Sequence, residues 1–309
     1  MHIRVLGSAA GGGVPQWNCA CANCNAARAK PQLRRTQASI AISADGERWL
    51  VANVTLDIDH QIAAFDKLAP HAPRRSPIGA IVLTDANIDH AFGLLELRQA
   101  ERLSIYSTET VRDVLLAGCS ALRPFAKAPH AWHVIGDSPV HVNDAAGLPL
   151  GLRIRAIDVG GLTPQYDGGR EAAGAASAVI INDGAHRLLY APCVGKMTDG
   201  LRKELALADA AFLDGTFWTE HELSLQALSS RTSRQMGHLP ISGEAGTLDV
   251  VIGLGGKHRY YTHLNNTNPL LDPGSDASRV LRDAGWMIAE DGLAFSLSKE
   301  AGSATSARR

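Results

Sequence analysis

Residues 80–95 read AIVLTDANIDHAFGLL, an apolar run followed by a polar turn and a second apolar segment. The run from Ala80 to Leu83 has the length and β-branching of a buried strand, and the segment after the turn is typical of a helix. Asp89 and His90 are adjacent in the turn, and both bind divalent metals, through carboxylate oxygen and imidazole nitrogen. This strand, turn and helix predict an α/β fold whose metal ligands lie where a strand ends.

The composition is that of an ordinary globular protein. The 309 residues are 45% hydrophobic and 20% charged, with a formal net charge of −1, so we expect no attraction to nucleic acid or to an anionic membrane surface. No apolar run approaches the roughly 18 residues that span a bilayer. The first residues, MHIRVLGSAAGGG, lack the basic-then-apolar pattern of a signal peptide. We therefore expect a cytoplasmic protein without membrane insertion.

Three of the five cysteines, Cys19, Cys21 and Cys24, form a CxCxxC cluster. Three thiols this close in sequence can converge on one soft ion, and zinc favours four ligands in which cysteine is prominent. The alternative is three unligated thiols, which would leave a cytosolic protein with clustered oxidation targets. The pattern favours a zinc site, but it does not name the fourth ligand.

Two later strands also end in residues that bind metal or hold water. Asp214 follows the apolar strand Ala210 to Leu213, and His263 follows the strand Tyr260 to Thr262. We predict His263 as the third metal ligand, whereas Asp214 either lies at the metal or caps a turn. His238, in the loop MGHLP, is a candidate for proton transfer.

Two further features have competing interpretations. Cys193 follows the strand Leu188 to Ala191 and could contact a metal, but a buried inert thiol is the favoured interpretation. The glycine-rich loop Gly7 to Gly13 follows the first strand, Ile3 to Leu6. Because it lacks the lysine of a Walker motif, we expect a close backbone approach near the active site rather than a phosphate cradle.

The rest of the chain alternates strand and helix patterns without an internal repeat or a linker. The spacing predicts a β-meander turning at Asp45-Gly46, a helix over Asp57 to Leu68, and a closing hairpin over residues 286–297. We predict one domain over residues 1–298 and a disordered tail at residues 299–309.

Five motifs together resemble the coenzyme PQQ synthesis protein B family, over residues 1 to about 297. In chain order they are GSAAGGGVPQWNCACANC, TDANIDH, FLDGTFW, MGHLP and THLNNTNP. That family lies in the metallo-β-lactamase superfamily, so the resemblance implies an αββα sandwich of two mixed sheets flanked by helices. The motif TDANIDH is similar to the HxHxDH signature of that superfamily at its last two positions. Asp85 and Asn87 stand in place of its first two histidines.

The resemblance also implies two sets of metal ligands. Asp89, His90 and His263 match the active-site ligands that the family retains, and the three cysteines of the CxCxxC motif match its structural zinc cluster. In related phosphodiesterases with the same cysteine loop, a histidine three residues after the last active-site histidine completes the zinc site. Here that position is Asn266.

For function, the resemblance implies a role in making pyrroloquinoline quinone (PQQ), a redox cofactor built from a Glu and a Tyr of a peptide. One interpretation is a hydroxylase that uses Fe(II) or another divalent metal to add oxygen to the tyrosine ring of a Glu-Tyr-derived precursor. Two imidazoles and one carboxylate are the ligands of non-haem Fe(II) oxygenases. A second interpretation is a carrier that moves PQQ or its precursor toward the periplasm without catalysis, and a third, weaker one is a one-metal hydrolase.

The hydroxylase hypothesis gives the remaining polar residues supporting roles. Asp85 would orient a ligating imidazole or bind substrate, His238 would accept or deliver a proton, and Asp214 would hold a water. The expected partners are a small peptide-derived substrate and other PQQ-pathway proteins, with no nucleic acid. A homodimer is a further expectation.

Overall fold

The computed structural model describes residues 1–254, 256 and 258–298, whose strands form two seven-stranded sheets. The predicted tail at residues 299–309 lies outside these residues, and the prediction of a single domain over 1–298 stays a prediction. The strands, in chain order, are β1 (His2–Gly7), β2 (Ser39–Ser43), β3 (Trp49–Ala52), β4 (Ile78–Val82), β5 (Ser104–Ser107), β6 (Ala131–Val134), β7 (Val140–Asn143), β8 (Pro149–Asp158), β9 (Ser177–Asn182), β10 (Arg187–Ala191), β11 (Ala210–Asp214), β12 (His258–Thr262), β13 (Met287–Ile288) and β14 (Ala294–Ser296).

The helices connect these strands and cover the sheets. The α-helices are α1 (Ala22–Ala29), α2 (Ile58–Ala63), α3 (Ile88–Ala91), α4 (Glu109–Gly118), α5 (Asp199–Leu207), α6 (Glu222–Leu225), α7 (Thr247–Val251) and α8 (Asp276–Asp283). Short 3₁₀ helices occupy Pro31–Leu33, Asp66–Leu68, Phe92–Gln99, Ser120–Ala126, Gln165–Asp167, Arg234–Met236 and Pro269–Leu271. Within the described residues, none of these helices has the length and apolar character needed to cross a membrane.

Each sheet combines antiparallel and parallel pairing. The strand order is β14-β1-β2-β3-β4-β5-β6 in the first sheet and β13-β12-β11-β10-β9-β8-β7 in the second. In the first, β14, β1, β2 and β3 pair antiparallel and β3 to β6 pair parallel. In the second, β7 to β10 pair antiparallel and β10 to β13 pair parallel. This arrangement confirms the expected αββα sandwich of two mixed sheets.

The inner faces of the two sheets share one apolar core. Ile40 and Val82 of the first sheet belong to the same buried cluster as Tyr190 and Phe212 of the second. The outer faces pack against helices, with α4 on the first sheet and α5 and α8 on the second. Each fully buried aliphatic side chain contributes about 1.5–3 kcal/mol, so this double-sided burial holds the strand ends in fixed positions.

The ends of strands from both sheets meet at one edge of the sandwich. Thr84, two residues after β4, accepts a backbone hydrogen bond of 3.0 Å from Ser177 of β9. Leu264, just after β12, exchanges backbone hydrogen bonds with Ser8 and Ala10, which follow β1. The carboxyl ends of parallel strands are a common location for ligand sites in sheets of this kind.

The predicted closing hairpin over residues 286–297 is wrong. β13 pairs with β12 in the second sheet, whereas β14 pairs with β1 in the first, so the chain crosses between sheets at the turn. The Asp291 carboxylate fixes this crossing, since it accepts hydrogen bonds from Ser8 Oγ at 2.7 Å and from the Thr36 backbone N–H at 2.6 Å. The chain does turn between β13 and β14, as the predicted hairpin requires, but the strands with which β13 and β14 pair depend on these distant contacts.

Two predicted helices are also interrupted. The helix expected over Asp57 to Leu68 ends at Ala63, because Phe65 is extended and packs edge-on against the Trp49 ring at 5.0 Å. After α3 the chain continues as a 3₁₀ helix. The Val54 backbone N–H donates to the His90 carbonyl at 2.8 Å, and the Val54 carbonyl accepts from the Gly93 N–H at 3.0 Å. The His90 carbonyl and the Gly93 N–H therefore do not form the hydrogen bonds of an α-helix.

Candidate metal centre

Side chains from separate motifs converge at the edge where β4, β10, β11 and β12 end. They are Asp85, Asp89, His90, Cys193, Asp214, His238 and His263. Donor atoms of His90, Cys193 and His263 lie within 4.8 Å of one another, and so do those of Asp214, His238 and His263. The fold therefore gathers all six side chains predicted for the active site, together with Cys193.

His90 is fixed by Asp85. The ring Nδ1–H donates to Asp85 Oδ2 at 2.7 Å, and Asp85 also accepts from Thr84 Oγ1 at 2.8 Å and from the Asn87 backbone N–H at 2.9 Å. With Nδ1 engaged, Nε2 faces Asp89 at 3.8 Å. Asp85 therefore holds the imidazole of His90 through Nδ1, as a residue that orients a metal ligand does.

Asp89 lies between the two imidazoles. Its Oδ2 is 3.8 Å from His90 Nε2 and 3.2 Å from His263 Nε2. The two rings pack edge to face, with a centroid distance of 4.9 Å and an interplanar angle of 65°. One carboxylate oxygen therefore lies within 3.8 Å of a ring nitrogen of each histidine, although Asp89 and His263 are 174 residues apart.

His263 is fixed by Thr216. The Thr216 hydroxyl donates to Asp214 Oδ1 at 2.6 Å and accepts from His263 Nδ1–H at 2.7 Å, which leaves Nε2 toward Asp89. His263 has a φ of +60°, in the left-handed region that a non-glycine residue rarely adopts. Such a conformation costs on the order of 1–3 kcal/mol and persists where the surrounding contacts hold it.

Asp214 holds His238 and the turn around it. Its Oδ2 accepts from His238 Nδ1–H at 2.8 Å and from the Val194 backbone N–H at 2.8 Å, and its Oδ1 accepts from the Thr216 N–H at 3.0 Å. Burial raises the pKa of Asp214, but the charge and hydrogen bond of His238 outweigh it and hold the pKa below its usual value. The two carboxylate oxygens of Asp214 therefore position His238, Thr216 and the turn at Val194.

Sequence reasoning missed Thr216. Its hydroxyl also lies 3.0 Å from His238 Nδ1, so one side chain contacts both histidines and Asp214. The motif FLDGTFW includes this residue, but only the fold shows that the hydroxyl faces a histidine 47 positions later. A strand-end Asp-Gly-Thr is the one signal that could have drawn attention to it.

The glycine loop after β1 approaches the cluster, as predicted. A Cβ at Gly11 would lie 3.3 Å from the Asp89 carboxylate, so a larger residue there would press on a candidate ligand. Asp89 is also the ligand most open to solvent, with its side chain 18% exposed, whereas the side chains of His90 and His263 are 0% and 5% exposed. Of these three side chains, Asp89 therefore faces the most solvent-accessible side of the cluster.

The three cysteines of the CxCxxC motif also converge. Their sulfur atoms lie within 4.8 Å of one another, and the Asn266 side-chain amide caps them, with Nδ2 at 3.1 Å from Cys19 Sγ and 3.4 Å from Cys24 Sγ. The amide nitrogen and oxygen can exchange places by rotation, and only the oxygen can bind a metal. Asn266 is therefore the group placed to complete a zinc site. Burial raises the pKa of the Cys24 thiol to about 11.

The active-site residues fit a divalent cation. His90 Nε2 is buried and has no hydrogen-bond partner among the described residues, which is unusual for a buried polar atom. Burial lowers the pKa of His90, but Asp85 and Asp89 outweigh it and raise the pKa to about 9, so the surroundings favour positive charge at Nε2. Burial lowers the pKa of His263, which favours the neutral imidazole that binds metal.

Residues 48–264 match the family model described as beta-lactamase superfamily domain. The chain therefore belongs to the β-lactamase superfamily. It is 39% identical over 306 residues to the coenzyme PQQ synthesis protein B of Xanthomonas campestris pv. campestris, an alignment that covers 96% of this chain and 100% of the relative. It is 36% identical over 309 residues to the protein of the same name in Methylobacterium radiotolerans, with the same coverage.

Solved structures agree with this relationship. The crystal structure of Zn(2+)-bound PqqB from Methylobacterium extorquens superimposes with a TM-score of 0.88 at 34% sequence identity, covering 96% of this chain and 100% of that one. A diphosphatase from the PhnP family shares the fold, with a TM-score of 0.67 at 21% identity, covering 96% of this chain and 98% of that one. The chain is a member of the coenzyme PQQ synthesis protein B family.

Proposed function

We propose that this chain acts in PQQ biosynthesis as an iron-dependent oxygenase that hydroxylates the tyrosine ring of a Glu-Tyr-derived precursor. Family membership supports the pathway, and the zinc-bound relative supports a divalent metal in this fold. The observation that carries the reaction type is the placement of Asp89 Oδ2 at 3.2 and 3.8 Å from the Nε2 atoms of His263 and His90.

The ligand set favours one redox metal over the two metals of a hydrolase. Asp89, His90 and His263 supply the two imidazoles and one carboxylate used by non-haem Fe(II) oxygenases. Asp85 occupies a position at which the superfamily signature has a histidine, so this position provides no imidazole for a second metal ion. Its carboxylate is instead hydrogen-bonded to His90 and Thr84. A bound divalent iron would supply the oxygen activation that ring hydroxylation requires.

His238 is the residue we assign to proton transfer. Its ring stacks on His263 at a centroid distance of 5.3 Å, and Asp214 holds Nδ1, so Nε2 is the nitrogen left to exchange a proton with substrate. Burial lowers the pKa of His238, but Asp214 outweighs it and raises the pKa. The ring therefore holds a proton more readily than an ordinary histidine, as a general acid at neutral pH requires.

The decisive experiment is single turnover with labelled dioxygen. Protein loaded with Fe(II) under anaerobic conditions is mixed with a Tyr-containing dipeptide, ascorbate and isotope-labelled O₂. Ascorbate supplies the two electrons that reduce the second oxygen atom to water. We expect a catechol product that carries one labelled oxygen atom, detected by mass spectrometry. Asp89→Ala should abolish this product. The matched control is His60→Ala, because His60 is an exposed histidine on α2, bonded to Asp59.

The alternatives give different results in the same assay. A carrier predicts tight binding of PQQ or its precursor that survives Asp89→Ala, with no oxygenated product. A one-metal hydrolase predicts no labelled catechol here, and predicts instead that phosphodiester or lactone substrates are cleaved with an oxygen atom that comes from water. Wild-type protein that retains iron but yields no labelled catechol would contradict the oxygenase.

We also propose that the cysteine loop holds a structural zinc ion whose fourth ligand is Asn266 Oδ1. This requires the amide to bind through its oxygen at the position where the side chain meets the three sulfurs. Asn266→Ala should lower the zinc content measured by elemental analysis, whereas Asn266→His should retain it because histidine is a common zinc ligand. Equal zinc retention in Asn266→Ala would assign the fourth position to water.

A further inference from the structure

Cys193 lies beside the ligand cluster but is not one of the three ligands assigned above. It follows β10 and is 5% exposed. Its sulfur lies within 4.8 Å of a ring nitrogen of His90 and of a ring nitrogen of His263. A buried inert thiol, the interpretation favoured by the sequence, does not require this position between two imidazoles.

Hydrogen bonds on the following residues hold this turn in place. The Val194 N–H donates to Asp214 Oδ2 at 2.8 Å, and the Val194 carbonyl accepts from Leu239 at 2.8 Å. The Gly195 N–H donates to Gly160 at 2.9 Å, and a Cβ at Gly195 would lie 2.3 Å from that carbonyl oxygen. The turn is therefore tied to three neighbouring segments, which fixes the cysteine at the cluster.

A second observation points to a bound cation at the same place. His90 is 0% exposed, and its Nε2 has no hydrogen-bond partner within the described part of the chain. A buried ring nitrogen without a partner costs free energy unless something binds it. The sulfur of Cys193 lies within 4.8 Å of this imidazole ring, so the thiol and a buried histidine with an unpartnered nitrogen belong to one group of donor side chains.

We propose that Cys193 is a fourth protein ligand, binding the metal as a thiolate beside Asp89, His90 and His263. The proposal rests on the metal centre of the proposed function. On binding, the S–H bond breaks, the sulfur keeps the electron pair and bonds the metal, and the proton leaves to solvent, so nothing is oxidised or reduced. Burial, followed by the charges of Asp85 and Asp214, raises the pKa of the Cys193 thiol well above its ordinary value.

A thiolate ligand changes what the centre can do with different metals. Four protein donors complete the tetrahedral shell that zinc prefers, and so leave no position for an attacking water. A six-coordinate ion with the same four donors keeps two positions, enough for dioxygen and a substrate oxygen. Cys193 would therefore disfavour zinc-dependent hydrolysis in this chain while leaving an iron-dependent oxygenase its open positions.

Cobalt(II) spectroscopy tests the ligand directly, without an activity measurement. Protein that retains zinc in the cysteine loop, but is depleted of the other metal, is titrated with Co(II). We expect a near-ultraviolet thiolate-to-cobalt charge-transfer band that saturates at one equivalent. Cys193→Ser should lose the band, keep weaker visible d–d bands, and bind Co(II) at least ~10-fold less tightly, since even residues that only orient ligands change affinity by 10–100-fold.

The controls separate this band from other thiolates. Cys119→Ser removes a half-buried thiol that packs against the outer core of the first sheet, and it should leave the band unchanged. Asp89→Ala removes a ligand and should weaken cobalt binding at this centre. A charge-transfer band that remains when this centre holds no cobalt comes from cobalt bound to the cysteine loop. Retained zinc and an unchanged circular dichroism spectrum show that each variant is folded.

The outcomes distinguish this inference from the proposed function. A band of equal intensity in wild type and Cys193→Ser overturns the ligand assignment, whatever the activity. A band lost in Cys193→Ser together with absent catechol formation supports the thiolate ligand and contradicts the oxygenase. Failure of wild-type protein to bind cobalt at this centre overturns both.

Discussion

The cysteine loop and the strand-end cluster are built in opposite ways. The loop gathers three like donors from six consecutive residues, Cys19 to Cys24, and borrows a single group, Asn266, from elsewhere. The strand-end cluster combines carboxylate, imidazole and thiol donors from three distant segments of the chain. The first site is local in sequence, whereas the second exists only because two sheets bring their strand ends together.

The two sites are nevertheless connected through one short segment. His263 contributes to the strand-end cluster, and Asn266, three residues later, contacts the cysteines. Asn23 of α1 donates to the backbone carbonyls of Asn266 and Asn268, each at 3.0 Å. Loss of the cysteine site should therefore disturb the strand-end cluster, whereas loss of a strand-end ligand should leave the cysteine site intact.

Cys24→Ser should have the largest effect. Cys24 is fully buried, and its loss should release the loop zinc and lower stability by about 4 kcal/mol or more, the range associated with loss of a structural metal. We expect elemental analysis to show that metal at the strand-end cluster falls as well, because His263 loses its support. Cys119→Ser is the control for removal of a thiol. Full metal at the strand-end cluster in Cys24→Ser would contradict the coupling.

Asp85→Asn addresses the strand-end cluster alone. The amide can still accept the His90 Nδ1–H, but it loses the charge that favours the metal-bound imidazole. We expect metal affinity to fall by about 10–100-fold, measured by competition with a chelator, while the loop zinc is retained. Asp59→Asn is the matched control, since Asp59 pairs with His60 in the same way at the surface. Unchanged affinity in Asp85→Asn would show that Asp85 does not tune the metal.

Thr216→Val tests the hydroxyl that joins the histidines. Valine has nearly the same shape but leaves the His263 Nδ1–H without its acceptor, so His263 is free to present either nitrogen to the metal. We expect about a 10-fold loss of metal affinity. Thr216→Ser should restore most of it, because serine keeps the hydroxyl. Failure of serine to rescue would assign Thr216 a packing role.

The comparison of the two sites also shows which of their features could be predicted from the sequence. The CxCxxC spacing alone was enough to predict the cysteine cluster, since its donors are neighbours in the chain. The strand-end residues were predictable one by one as polar groups after apolar strands, and the family resemblance joined them. The contact of Thr216 with His263 and the crossing at Asp291 were not predictable, because each depends on a residue far away in sequence.

Glu222→Gln should have the smallest effect, and it probes the segment that both sites share. Glu222 is buried on α6, where its carboxylate accepts from Thr267 Oγ1 at 2.5 Å and from the Trp218 N–H at 2.7 Å. Burial raises the pKa of Glu222 from 4.5 to about 7. The folded protein therefore binds a proton that the unfolded chain releases near pH 4.5, so this carboxyl makes stability fall as the pH rises from about 4.5 to about 7.

The glutamine variant lacks this titration, so the comparison of two pH values isolates it. Urea unfolding at pH 6 and pH 8 should show wild-type protein losing about 1 kcal/mol more than Glu222→Gln over this interval. Any effect of the amide on the free energy of unfolding that does not depend on pH cancels, because it is the same at both pH values. Equal pH dependence in the two proteins would mean that Glu222 is already ionised at pH 6. The segment from His263 to Asn268 would then be held by a carboxylate throughout the physiological range.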